Sequence, residues 1–176
     1  MIGGLAKVGE LGNARCLFDK MLQRDAVSWN SIFDGYVKAG KMDEAFELFE
    51  RMPQRNVVSW STLVSGAFKE AIMLYDQMEK VGLKPDSRAI ISILAVCAKS
   101  GLIASGKKVH ASIESISFKC STLVSNALLD MYAKCGGLDE EYKVFDGIAK
   151  KYLVSWNSML QGLAMHGHGE KAPALL

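Results

Sequence analysis

Between Ala26 and Asn56 the apolar residues fall into two runs. Trp29, Ile32, Phe33, Tyr36 and Val37 are offset from the tryptophan by three, four, seven and eight positions, and Met42, Ala45, Leu48, Phe49 and Met52 form a second set at helical spacing. Each run therefore predicts an amphipathic helix with one apolar stripe. Gly40 stands where the first helix must end, because glycine adopts a left-handed cap without steric cost. Asp43 and Glu44 fall in the first turn of the second helix, whose positive end favours carboxylates. Pro53 cannot donate the next backbone bond and closes that helix. The stretch reads as an antiparallel helix pair.

The pair recurs. The VSWN of Val27–Asn30 returns as VSWS at Val58–Ser61 and as VSWN at Val154–Asn157, and Leu128–Phe145 aligns with Ile32–Phe49 without a gap. A two-helix period of 30 to 35 residues predicts an all-α fold, an α-α superhelix in which stacked hairpins form a solenoid. The units are a partial repeat over 1–25, a complete one over 26–56, a shortened one over 57–86, a long one over 87–121, another of 31 residues over 122–152, and a partial one over 153–176. Helix pairs are expected near 27–38 and 42–52, 87–99 and 103–115, and 123–134 and 139–149.

Three positions strain the pattern. Four residues separate Gly66 from Ala71, where nine separate Gly35 from Ala45, so the third unit lacks five. A stunted first helix with a tight turn near Gly66–Phe68 is the expected result. Glu141 occupies the small-residue slot of Ala14, Ala45, Ala71 and Ala172, where a carboxylate must reach solvent or find a partner. Pro173 falls within the first turn of the last helix, where proline is tolerated.

Composition adds limits. Over 176 residues, 49% are apolar and 23% charged, as in folded soluble proteins, and the net charge of +2 gives no bulk argument for nucleic acid. Cys16, Cys97, Cys120 and Cys135 form no CxxC pair, which fits reduced thiols better than a zinc site. No apolar run is long enough to span a membrane. Met1 already falls inside a repeat, so no leader is expected before it. His166 and His168 sit in a turn with no thiol or carboxylate close in sequence, which favours a solvated turn over a metal site; no cofactor is expected.

Two columns carry chemistry. Asn30, Asn126 and Asn157 share one position, each following the motif tryptophan or its equivalent. Asparagine offers a donor and an acceptor on a short arm, suited to a Watson–Crick edge and equally to capping a helix. Lys7, Lys38, Lys99 and Lys134 recur three residues after Gly4, Gly35, Val96 and Met131. One cation per unit suits a phosphate track, while a lysine near a helix C-terminus also offsets the macrodipole.

Period and motifs together resemble the pentatricopeptide repeat family, and within it the plant subclass of alternating repeat lengths. VVSWSTLVSG, NALLDMYAKCGGLDE and GLIASGKKVHASI carry the likeness, which extends over the whole chain. The resemblance implies a sequence-specific single-stranded RNA-binding array of organellar editing or processing factors, in mitochondrion or chloroplast, with such factors as further partners. It implies base reading by the fifth and last residues of each repeat: Asp25, Asn30, Asn56, Ser61, Asp86, Asn126 and Asn157. It also implies packing on the base by the second residue: Val27, Val58, Leu123 and Val154. Asn30 with Asn56 should take a pyrimidine, and Ser61 with Asp86 guanine. Tyr152 departs from the Asp or Asn usual after a reader such as Asn126, and Arg88 and Ile91 break their columns. The deaminase signature H-x-E with P-C-x-x-C is absent from these residues, so the segment reads as non-enzymatic. The competing expectations are a protein-binding helical scaffold and a truncated copy that binds nothing tightly. Uncapped repeat ends predict self-association.

Overall fold

The computed structural model describes residues 10–115 and 121–169. Among them are ten helices and no strand: α1 Leu11–Lys20, α2 Ala26–Lys38, α3 Met42–Arg51, α4 Val57–Gly66, α5 Ala71–Lys80, α6 Ser87–Ser100, α7 Ile103–Ser115, α8 Thr122–Cys135, α9 Leu138–Gly147 and α10 Leu153–Met165. The all-α reading holds, and the expected pairs fall within two residues of the observed bounds. Met1, Lys7, Cys120, Ala172 and Pro173 lie outside the described residues.

The helices group into two compact units, Met1–Ala89 and Ile90–Leu176. In the first, α2 packs on α1, α3 and α4, and α4 packs on α3 and α5. In the second, α8 packs on α7, α9 and α10, and α9 also meets α10. Within these units α2 and α8 thus touch both their own partner and the first helix of the next pair.

One joint recurs wherever a VSW motif begins a helix. Phe18 meets Trp29, Phe49 meets Trp60 and Phe145 meets Trp156, each edge to face with ring centroids 4.8 Å apart. Such pairs add about 0.5–1.5 kcal/mol beyond their apolar burial. A cation covers the same phenyl ring from the connecting segment. The Arg24 guanidinium lies 5.0 Å from the Phe18 centroid and donates to the Phe18 and Asp19 carbonyls at 2.9 and 2.8 Å. Arg55 does the same to Phe49, donating to the Phe49 and Glu50 carbonyls at 3.0 Å. Lys151 stands over Phe145 and donates to the Ile148 carbonyl at 3.2 Å. These cations satisfy carbonyls that the end of a helix leaves without an intrahelical donor.

Gly40 ends α2 as its position implies. Its φ of +72° lets the Lys41 amide reach the Tyr36 carbonyl at 3.0 Å and its own amide reach Val37 at 3.0 Å. In the shortened unit α4 stops at Gly66, residues 67–70 turn, and α5 starts at Ala71. The first helix has ten residues there against thirteen in α2. The missing residues come from the far end of the hairpin, and the start of α4 is intact.

Glu141 neither reaches solvent nor finds a partner. It is 0% exposed, and neither carboxyl oxygen has a hydrogen bond within the described structure. Burial, with a smaller contribution from Asp130, pushes its pKa up to about 8. The carboxyl group fits because α10 presents Gly162 to it: a side chain on that glycine would overlap both oxygens.

Candidate functional site

The second residue of four units was expected to pack on a base, and the structure leaves each of these side chains exposed. Val27, Val58, Leu123 and Val154 are 70%, 47%, 69% and 57% exposed, although each belongs to an otherwise well-buried helix. Three residues later on the same helices stand Asn30, Ser61, Asn126 and Asn157. Residues at that spacing share a helix face. An exposed aliphatic group and a polar group therefore lie side by side at the start of α2, α4, α8 and α10.

The polar members differ in their surroundings. Asn157 is exposed, and Asn30 and Asn126 are half-buried. Asn30 Oδ1 is buried without a hydrogen-bond partner, whereas Asn126 Oδ1 accepts from the Ser155 hydroxyl at 2.8 Å. None of the three caps its helix. Ser61 is a correction to the sequence reading. It is 0% exposed with its Oγ buried and unpaired, so it presents no polar edge to a ligand in this conformation.

Capping falls instead to the expected last-position readers. Asp25 accepts from the Ser28 amide at 2.8 Å and from its hydroxyl at 2.6 Å, which hold its carboxyl below the usual range. Asn56 forms a reciprocal capping box with Ser59, the amide of each bonding the other's side chain at 3.0 Å. Asp86 accepts from the Ala89 amide at 2.9 Å. Tyr152 precedes α10 in the same column and makes no side-chain cap bond. A cap residue that accepts from the backbone still sits at the helix start, beside the exposed second residue.

The lysine column is ionically occupied. Lys38 pairs with Asp34 at 2.5 Å, and Lys134 with Asp130 at 2.7 Å, each one turn earlier on its helix. Lys99 is exposed near the end of α6, and Lys7 lies outside the described residues. Exposed pairs at this spacing contribute only about 0.3–0.5 kcal/mol, so they exchange readily for another anion. Arg88, the residue that breaks the second column, turns back onto α4 and donates to Thr62 Oγ1 at 2.8 Å.

The histidine turn is not solvated as expected. His166 is half-buried and its Nε2 lies 2.7 Å from the Ala133 carbonyl, which obliges that nitrogen to donate. Cys16, Cys97 and Cys135 are free thiols. Among the described residues no group of three or more His, Cys, Asp or Glu side chains is placed to hold a metal ion, and no helix is long and apolar enough to cross a membrane.

Sequence reasoning missed the serine of the VSW motif and the basic residue before the end of three repeats. Both were legible as columns: Ser28, Ser59 and Ser155 in one, Arg24, Arg55 and Lys151 in the other. Neither carried an obvious ligand chemistry, and so neither drew a role.

Paired helices, repeated joints and a polar–aliphatic couple at the start of four helices define a helical-hairpin repeat protein. Comparison with known proteins gives the family. The PPR repeat family profile matches residues 24–67, and the PPR repeat profile matches 1–25, 124–152 and 154–176. The chain belongs to the pentatricopeptide repeat family. Among its relatives in Arabidopsis thaliana are pentatricopeptide repeat-containing proteins At4g21065, 36% identical over 95% of this chain, and the mitochondrial At4g31070, 37% identical over 94%. The chloroplastic DOT4 is 38% identical over 96% of it. The chain spans only 24%, 22% and 16% of their respective lengths. In structure it is similar to the pentatricopeptide repeat protein PPR10 from maize, with a TM-score of 0.74 at 20% identity over 98% of this chain and 27% of that one. PPR10 in complex with an 18-nt psaJ RNA element gives a TM-score of 0.65 at 24% identity, over 93% of this chain and 25% of that one. The fold is that of this helical-hairpin solenoid class.

Proposed function

We propose that this chain is a segment of a sequence-specific single-stranded RNA-binding array, of the subclass with alternating repeat lengths. The observation that carries the reading is the exposure of Val27, Val58, Leu123 and Val154, each one helical turn from a polar residue. An aliphatic side chain left in water at the same place in four repeats supplies an apolar surface on which a base can lie. The neighbouring amide of Asn30, Asn126 or Asn157 then addresses the base edge. Asp25, Asn56 and Asp86 combine capping with reading, since a carboxylate or amide oxygen has lone pairs to spare after one bond.

Lys38, Lys134, Lys99 and Lys7 supply the phosphate contacts, the first two by exchanging their aspartates. The array works by binding and not by catalysis, in organellar RNA editing or processing together with other factors. Relatives named mitochondrial or chloroplastic support a place in one of those organelles.

The test is a titration of the chain with short single-stranded RNAs of varied sequence, against a duplex of the same length. Affinity should fall steeply with salt, depend on base identity and be lost for the duplex. Equal binding to all sequences, or none at low salt, overturns the proposal and favours a protein-binding scaffold.

A further inference from the structure

The long unit and the one after it place a thiol on each side of a single joint. Cys97 stands in the column that holds Tyr36 and Tyr132 elsewhere, and Cys135 in the column of Ala39 and Ser100. Cys97 is 0% exposed on α6, and Cys135 is half-buried at the last position of α8. The Cys135 thiol donates to the Cys97 carbonyl at 3.4 Å, across 38 positions of sequence. Covalent geometry keeps a cysteine's sulfur within about 5 Å of its own carbonyl oxygen, so both sulfurs belong to this joint. Burial, and then the charge that Cys135 would carry, push the Cys97 thiol up to about 11. The second of these causes acts between near neighbours. The Cys97 carbonyl also accepts from the Leu102 amide at 3.0 Å, so it keeps a donor when the thiol is lost.

We propose that Cys97 and Cys135 are a latent disulfide pair, closed by a small disulfide such as oxidised glutathione into a covalent staple between α6 and α8. Rotation about χ1 swings a cysteine sulfur by about 3 Å, which supplies the approach that a disulfide between the two needs. Exposure sets the order of events. A thiolate at half-buried Cys135 attacks one sulfur of the oxidant, forming a mixed disulfide and expelling one small thiolate. Cys97, closed off from solvent, then attacks the Cys135 sulfur and expels the second. Two protein thiols are oxidised, one small disulfide is reduced, and the two protons leave on the released thiols. Burial, followed by the charge of Asp130, also holds the Cys135 thiol above its ordinary range. Both thiolates are therefore scarce near neutrality and closure is slow. The pair suits sustained oxidation and not rapid catalytic exchange. The staple joins the ends of two first helices and leaves exposed Leu123, at the start of α8, uncovered.

The test is incubation of the chain with oxidised glutathione, then alkylation of the remaining thiols and mass spectrometry of the intact and proteolysed protein. Cys16→Ser and Cys120→Ser first remove the other two thiols of the chain. In that background the product should be lighter than the reduced protein by two hydrogens and untouched by the alkylating agent. Its Cys97 and Cys135 peptides should be linked, and dithiothreitol should separate them. The Tm should rise by about 5–15 °C, because the cross-link closes a long loop in the unfolded chain. Adding Cys97→Ser should arrest the reaction as a glutathione adduct on Cys135, and adding Cys135→Ser should leave Cys97 unmodified. Where a serine variant fails to fold, the chain that keeps both thiols decides alone. A lasting mixed disulfide on Cys135 in that chain, or no reaction at Cys135, overturns the proposal. A linked pair with an unchanged or lowered Tm overturns the staple as a lock on α6 and α8.

Discussion

The Glu141 carboxyl group occupies the space that a side chain on Gly162 would fill. Its position belongs to alanine in four other repeats, and only a residue without a β-carbon on the facing helix makes room for it. Asp130 on α8 adds negative charge that acts on it, and α10 brings no ionised side chain.

The buried acid predicts a specific pH dependence. In the folded chain Glu141 keeps its proton up to about pH 8, whereas in the unfolded chain it loses it near 4.5. The folded state therefore binds more protons between those values, and stability falls as pH rises through that window. The full difference at pH 7 is on the order of 3 kcal/mol. Glu141→Ala should raise the unfolding midpoint at pH 8 and gain progressively less toward pH 4, where only its cavity cost remains. Denaturant melts across that range check it; a gain independent of pH would refute the assignment.

The aromatic joint should dominate the cohesion of the first unit. Phe49 contacts Trp60 and is covered by Arg55, and both rings are buried. Phe49→Ala should cost about 3–5 kcal/mol, and Arg55→Ala about 1 kcal/mol through lost carbonyl bonds and ring contact. Urea unfolding followed by tryptophan fluorescence measures both; equal small losses would show that the joint does not hold the pairs together.

How much of this was legible depends on what each residue answers to. The helix pairs were, because Trp29, Phe33 and Tyr36 obey a period that only a helix satisfies. Gly40 marked its turn because backbone conformation is a local property. The division of labour at the helix starts was not. Asp25 and Asn56 look like readers and also cap, while Asn30 resembles a cap and does not act as one. Ser61 shares the Asn30 column yet is wholly buried, and exposure is set by neighbours that no spacing specifies. Glu141 was recognisable as a problem, but its solution lies on Gly162, 21 residues away.

Binding and stability should separate at Val27 and Asn30. Val27 is so exposed that Val27→Asp should change stability by no more than about 0.5 kcal/mol while weakening RNA binding several-fold. Asn30→Ala should narrow the difference between RNAs varied at one base, a contact worth about 1–3 kcal/mol. Fluorescence anisotropy titrations decide it. A variant that loses affinity only in proportion to lost stability would remove Val27 from the interface.

Removing an acid should strengthen binding. Asp34 holds Lys38, so Asp34→Asn should free the ammonium for phosphate and steepen the dependence of log affinity on log salt by about 0.7. Lys38→Ala should do the reverse, and the double variant should behave like Lys38→Ala. Titrations at several salt concentrations give the slopes; unchanged slopes in both single variants would exclude Lys38 from any phosphate contact.

The shortened third repeat lost its residues from the tip of the hairpin, between Gly66 and Ala71, while Val58, Trp60 and the helix start kept their places. A ten-residue helix at about 1.5 Å per residue sets roughly 15 Å between that tip and the end where Val58 is exposed. Length and register are thus uncoupled in this architecture. The deletion is absorbed locally as a shorter loop, and Val58 stays exposed at the start of α4. Such a hairpin can lose residues at one edge while the helix start at its other edge keeps its cap and its exposed side chain.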